Sequence, residues 1–466
     1  MIRPRTDRGR LLLVLALCTA VTAFTATVPL LRDWFDLRVY HGAVDAWVHH
    51  GRGLYAYRVP GTGYGFTYPP FAAVVMLPMA FVGLRTAILV ALLLDLAALA
   101  LVVHLLTGGA WRRWGWYGCA LAGCALALFE PLRDTVSFGQ VNLLLLGLVL
   151  ADGRLLGSER CRWAGVGIGL AAAVKLTPAL FIGLLLLTRR WRAAAVAAGV
   201  AAGATALAAW AAPGASRLYW TRALWDTGRV GRLDYVSNQS LQGVLARLGE
   251  PGRAWWAAAV VCVLGVWAWR ARRAAAAGDR TAAFALTALA ACLVSPVTWV
   301  HHLVWLLPSF AVLLRTGHPR VAGGLYAVLC TSVVWLWVDD ASGVDGFLGG
   351  NAYAWITLGL LLWLPAGQLP DGRRQMPRRT SAITPAPRTA AAATSPASGQ
   401  PGARSAGTAR ATGAAGAAGR EAAGRGAGDA TVAPCSGRVG RGSSEPTGST
   451  RPAASNPQSS SSRASS

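Results

Sequence analysis

"PPFAAVVMLPMAFVG" (residues 69–83) decides how this chain is threaded. The run is apolar, yet a helix needs about 20 apolar residues to cross a hydrocarbon core about 30 Å thick. Pro78 also interrupts it. On either side lie longer runs, and hydropathy places spans at roughly 11–31, 86–107, 114–130, 139–152, 163–176, 177–188, 192–212, 254–269, 281–299, 301–315, 320–338 and 352–368. If 69–83 crosses, five basic loops face outward: "WRRW" (111–114), "RLLGSERCRW" (154–163), "RRWR" (189–192), "RARR" (270–273) and "RTGHPR" (315–320). If it lies in the interface or dips back, all five sit inside with the N-terminal arginines. Arg and Lys concentrate in cytoplasmic loops, so the five loops outvote one short run. The expected fold is an all-α polytopic membrane protein, a bundle of about twelve transmembrane helices. It carries an interfacial or re-entrant helix on its outer face, with both termini inside.

Composition agrees. The 466 residues are 54% hydrophobic and only 14% charged, with mean hydropathy +0.43; a soluble chain would carry about a quarter charged residues. The net charge of +24 does not indicate nucleic acid, because the arginines cluster in short loops and in the C-terminal tail. The N-terminal run is too long for a signal-peptide core of about 7–15 residues and ends in no clear cleavage site, so it is expected to stay as a signal-anchor. Residues 1–369 form the expected membrane domain. From 370 to 466 the chain is low-complexity Ala, Gly, Ser, Pro and Arg, a cytoplasmic tail expected to be disordered. The eight cysteines show no CxxC and no metal-ligand spacing. Neither a metal nor a cofactor is expected. "GTGYG" (61–65) and "GVGIG" (165–169) are not nucleotide fingerprints; the second opens a membrane helix where small residues allow close packing.

With 69–83 held at the surface, the polar stretches converge on the outer face. They are the segment from "DLRVYHGA" (36–43) to "YPP" (68–70), "EPLRDTVSFGQVN" (130–142), "VKLTP" (174–178), "RVGRLDYVSNQSLQGVLARL" (229–248) and "SPVTWVHH" (295–302). Polar groups at membrane depth persist where they line a cavity or find partners. Asp36, in the loop after the first span, is a candidate general base; a solvated loop aspartate is the plain alternative, with Asp33 and Asp45 as competitors. Lys175, the only lysine of the chain, can meet a phosphate or snorkel to lipid headgroups. His301 and His302 would point about 100° apart on a helix, which argues against joint chelation and leaves either free to bond a phosphate or hydroxyl. Arg222, Arg229 and Arg232 break the inside-positive bias and point to an anionic ligand outside. Tyr40, Tyr68, Gln140, Asn142, Asn238, Gln239 and Trp299 supply further cavity-lining donors and aromatic faces.

The ordered set "DLRVYHGA", "GRGLY", "YPP", "FGQVN", "KLTP" with "RRWRA", "SNQS" and "SPVTWVHH" resembles glycosyltransferase family 87 over most of residues 31–315. That resemblance implies a GT-C fold like that of the polyprenyl-phosphate-mannose-dependent α-1,2-mannosyltransferases of actinobacteria. It further implies a lipid-phosphate sugar donor, inverting transfer, an aspartate base matching Asp36, and a histidine near the reacting centre matching His301 or His302. Lys175, Arg222, Arg229 and Arg232 are then candidates for the donor phosphate. The expected partners are a polyprenyl-phosphate sugar, a glycolipid or glycan acceptor and membrane lipids, at the external face of the plasma membrane. One rival keeps the enzyme but changes the sugar to arabinofuranose, glucose or galactose. The rival of another class is a transporter or lipid flippase, which should carry its ionisable groups near the bilayer midplane within broken helices.

Overall fold

The computed structural model describes residues 6–27, 33–157, 161–249 and 252–367, all within one unit spanning Met1–Ala382. The boundary expected at 369/370 and the tail beyond it lie outside the described residues. Among these residues the structure is helical, without strands. In chain order the α-helices are α1 (Asp7–Thr27), α2 (Phe35–His50), α3 (Pro70–Met76), α4 (Leu84–Thr107), α5 (Gly115–Leu128), α6 (Glu130–Phe138), α7 (Asn142–Leu155), α8 (Val166–Val174), α9 (Leu180–Leu187), α10 (Trp191–Ala211), α11 (Pro213–Leu218), α12 (Leu241–Arg247), α13 (Arg253–Ala276), α14 (Arg280–Val294), α15 (Leu307–Arg315), α16 (Pro319–Cys330), α17 (Gly343–Gly349) and α18 (Ala352–Trp363).

Every one of the twelve expected spans carries a helix. Among the described residues only α1, α4, α10 and α13 are long and apolar enough to cross by themselves, or five spans if the bent pair α5–α6 counts as one. The others are shorter because prolines and polar segments break the hydrogen-bond ladder. Pro131 follows the 75° bend between α5 and α6, and Pro308 opens α15 after the 3-10 turn Val300–Leu306. Residues 69–83 form α3 and a 3-10 turn, Leu77–Phe81, begun by Pro69-Pro70.

Two apolar cores organise the helices. In the larger one α14 is buried from Ala282 to Leu293 without a break, so it is surrounded rather than amphipathic. Half of that stretch is alanine, and α13, α9, α15 and α18 close around it. Small residues act likewise in α8: a Cβ on Gly167 would lie 2.4 Å from the Leu148 carbonyl oxygen, and one on Gly169 2.5 Å from that of Ala197. The glycines let α8 slot between α7 and α10. The smaller core joins Leu37, Tyr40 and Val44 of α2 to Tyr55, Phe66, Tyr68 and Ala72 of the following loop and α3.

Helix α2 corrects one expectation, since the stretch after the first span was read as a loop. Leu37, Tyr40, Ala43 and Val44 recur at helical spacing and are all buried, while Gly51, in the left-handed region at φ 61°, ends the helix. The abundance of polar and aromatic residues masked this period.

Candidate active site

Asp36 lies in the first turn of α2. Two residues before that turn's polar face, Trp34 adopts the left-handed region at φ 55°, a conformation costing about 1–2 kcal/mol for a residue with a Cβ. Its N–H donates to the Ser137 carbonyl at 2.9 Å, tying the start of α2 to the end of α6. Helix α6 stops at Gly139, also left-handed at φ 70°, where a Cβ would come within 2.7 Å of Leu37 Cβ. Glycine is therefore required, and the turn delivers Gln140 to Asp36. Gln140 Nε2 donates to Asp36 Oδ2 at 2.5 Å.

From there a continuous chain runs inward. Tyr68 Oη donates to Gln140 Oε1 at 2.7 Å and accepts from Tyr40 Oη at 3.0 Å. Lys175 Nζ lies 3.3 Å from Tyr68 Oη, 2.9 Å from Asn142 Oδ1 and 2.8 Å from His302 Nε2. Lys175 is the extended residue at which α8 breaks, φ −147° and ψ 131°, which leaves its side chain on the cavity rather than along a helix face. Asn142 Nδ2 and Thr135 Oγ1 both donate to the His301 carbonyl, at 3.3 and 2.8 Å, and so hold the histidine segment against α6 and α7. Burial lifts the Asp36 carboxyl to about 6, against the opposing pull of the Gln140 hydrogen bond.

These groups line one cavity of about 430 Å³. Asp36, His301, His302, Lys175, Arg229, Tyr40, Tyr68, Gln140 and Trp299 all face it. The wall also holds Phe35, Tyr64, Tyr235 and Trp335, which had no distinguishing local motif; Tyr235 packs its ring 6.2 Å from Trp299 and 5.9 Å from Trp335. Such faces suit sugar rings. Arg229 donates to the Tyr55 carbonyl at 2.7 Å, and Arg58 donates to the same oxygen at 3.0 Å, placing two guanidiniums side by side. Arg58 was not singled out, although its place among the aromatics of the outer segment, between Tyr57 and Tyr64, was a usable signal.

Other expected residues stand elsewhere. Arg222 is exposed and Arg232 is paired with Asp234 at 2.7 Å; neither lines the cavity. Asp234, outside the cavity, holds the Arg232 guanidinium there. Asn238 and Gln239 are fully buried staples. Asn238 bonds Leu233, Pro296 and Thr298, while Gln239 bonds Val236, Gly350 and Ala354. Asn142 acts behind the wall, through Lys175. Among the described residues no group of three His, Cys, Asp or Glu side chains could hold a metal ion.

A second cavity, about 670 Å³ between α4, α5, α15 and α16, is apolar apart from Thr107, Trp114, Tyr326 and Arg315. Arg315 is already engaged at 2.5 Å by Asp279, the N-cap of α14. Reactive groups thus gather in the first cavity.

Residues 66–296 match glycosyltransferase family 87. A polyprenol-phosphate-mannose-dependent alpha-(1-2)-phosphatidylinositol mannoside mannosyltransferase of Mycobacterium tuberculosis is 34% identical over 76% of this chain and 89% of its own length. The chain belongs to glycosyltransferase family 87. An enzyme of the same description from Mycolicibacterium smegmatis is 33% identical over 69% of this chain and 81% of its own length. A polyprenol-phosphate-mannose-dependent alpha-(1-2)-phosphatidylinositol pentamannoside mannosyltransferase, also from Mycolicibacterium smegmatis, is 33% identical over 71% of this chain and 83% of its own length. No solved structure matches. The protein is a membrane glycosyltransferase, and the transporter reading falls with the family.

Proposed function

We propose that the enzyme transfers mannose from polyprenyl-phosphate-mannose to a lipid-anchored mannoside or related envelope glycan, with inversion, at the external face of the membrane. The observation that carries this reading is the linkage of Asp36 to Lys175 and His302 through Gln140 and Tyr68 in one cavity. Asp36 takes the proton of the acceptor hydroxyl as its oxygen attacks the sugar C1. The C1–O bond to phosphate breaks, and polyprenyl phosphate leaves with the bonding pair. Lys175 and His302 lie close enough to the base to meet that phosphate, since leaving and attacking oxygens flank a single carbon. Arg229, with Arg58 beside it, is placed for a second anionic group farther along the cavity. The aromatic wall takes the sugars. The relatives' dependence on polyprenol-phosphate-mannose supports mannose over the other sugars.

Purified enzyme given a panel of radiolabelled polyprenyl-phosphate sugars should transfer mannose to a lipid mannoside acceptor. Preference for arabinofuranose, glucose or galactose would establish the rival sugar. The outward orientation rests on the basic loops and on α3 with its 3-10 turn staying at the outer surface, so that the twelve helical segments make the passes. A reporter fused after Arg273 should therefore read as cytoplasmic. An external signal there would reverse the orientation.

A further inference from the structure

We infer that His302 is a positioning residue that holds Lys175 as an uncharged amine, and that Lys175 takes up one proton when the anionic donor binds. This deepens the proposed function and rests on its assignment of the donor phosphate to this site.

The argument starts at a backbone group. The Trp299 N–H can only donate, and it lies 3.1 Å from His302 Nδ1. Nδ1 must therefore present its lone pair, and the proton of the neutral ring sits on Nε2. Nε2 is 2.8 Å from Lys175 Nζ. An ammonium has three hydrogens and no lone pair, so it cannot accept from Nε2–H. An amine can.

The rest of the network closes on the same allocation. The two amine hydrogens go to Asn142 Oδ1 at 2.9 Å and Tyr68 Oη at 3.3 Å. Asn142 is oriented because its Nδ2 donates to the His301 carbonyl. Gln140 is oriented because its Nε2 donates to Asp36, leaving Oε1 to accept from Tyr68. Each hydrogen then has one acceptor, and Lys175 uses its lone pair. The groups facing the pair are Asp36 from α2, reached through Gln140 and Tyr68, then Tyr40, the His301 ring with its centroid 4.5 Å from that of His302, and Cys292 of α14 behind the His302 carbonyl. Asp36 is the one carboxylate among them, and it is spent on Gln140 rather than on Lys175.

An ammonium without a counter-charge is costly at this depth. The phosphodiester of the donor brings that counter-charge. Lys175 Nζ then takes a proton from water, keeps its bonds to Asn142 and Tyr68, and directs its third N–H to a phosphate oxygen. His302 Nε2–H, released from the amine, donates to another phosphate oxygen. No covalent bond of the substrate changes in this step, and the balance is one proton from solvent to Nζ. The resulting cation then faces the charge that builds on the phosphate as C1–O cleaves.

The test uses the fact that the chain contains a single lysine. Full-length enzyme in nanodiscs, with lysine isotopically labelled at Cε, gives one side-chain resonance whose shift distinguishes amine from ammonium. The expected result at neutral pH is an amine signal without donor and an ammonium signal with short-chain polyprenyl-phosphate-mannose, binding being followed by the donor phosphorus resonance. Asp36→Asn should show the same change, placing the proton on Lys175. His302→Ala removes the N–H that the amine accepts and opens space for water beside Nζ, so the signal should shift toward ammonium even without donor. An ammonium signal in the donor-free wild type, or an amine signal that persists with donor bound, overturns the inference; neither needs a variant to fold. An unchanged amine signal in folded His302→Ala overturns the role of His302. If the donor phosphorus does not respond at all, the assignment of function fails, and with it the proton uptake.

Discussion

Asp36→Asn is expected to lower sugar transfer by about 100- to 10,000-fold, the range ascribed to a positioned general base. The amide keeps an oxygen that accepts from Gln140 Nε2, so α2, the turn at Gly139 and the cavity wall should persist. The loss should fall on turnover, with donor binding largely retained. The same carboxyl predicts the pH profile. A base works only when unprotonated, and burial lifts Asp36 to about 6. Wild-type activity should therefore be full above that value and fall as pH drops through it. Membranes carrying the Asn variant, assayed beside wild type for protein level and for mannose transfer, check the first claim; a pH series checks the second. Turnover close to wild type in a well-inserted variant would remove Asp36 as the base.

Lys175→Met should cost about 100- to 1,000-fold in turnover, the scale seen when one preorganised donor to a developing anion is lost. Methionine fills most of the space but donates nothing. Asn142 Oδ1 loses its Lys175 donor, Tyr68 Oη loses one of two, and His302 Nε2–H loses its acceptor. Because the leaving phosphate gains charge as the bond breaks, the defect should be larger in turnover than in donor affinity. Lys175→Arg should recover part of it, since a guanidinium donates to phosphate yet is too wide for the pocket between Asn142 and Tyr68. Single-turnover kinetics with labelled donor separate the two effects. An equal loss in both variants, confined to donor affinity, would assign Lys175 to ground-state binding alone.

Much of this protein is legible from its residues one at a time. Hydropathy marks twelve apolar segments, each of which carries a helix, because a lipid environment demands apolar runs with internally satisfied backbones. Asp36, Lys175 and the two histidines stand out because ionisable groups beside such runs need a reason to exist. Sequence alone misjudged what local composition hides. Helix α2 reads as a loop, its period obscured by Arg38, His41 and Asp45. Asn238 and Gln239 carried the same polar signal as Gln140, yet they knit the backbone of 233–240 to 296–298 and 350–354. An amide is a donor and an acceptor in either setting, and only its neighbours determine whether it serves substrate or scaffold.

The sequence by itself determined that the chain lives in a membrane, where its long apolar helices run, and which few charged side chains require an explanation. Only the tertiary structure decided that Arg222 and Arg232 stand apart while Arg58 and Arg229 converge, and that Lys175 meets His302. The physical reason is range. Burial of an apolar run depends on consecutive residues, whereas a hydrogen bond reaches about 3 Å and can join residues far apart in the chain. Asp36 and Gln140, 104 positions apart, become partners because Gly139 lets two helix ends touch.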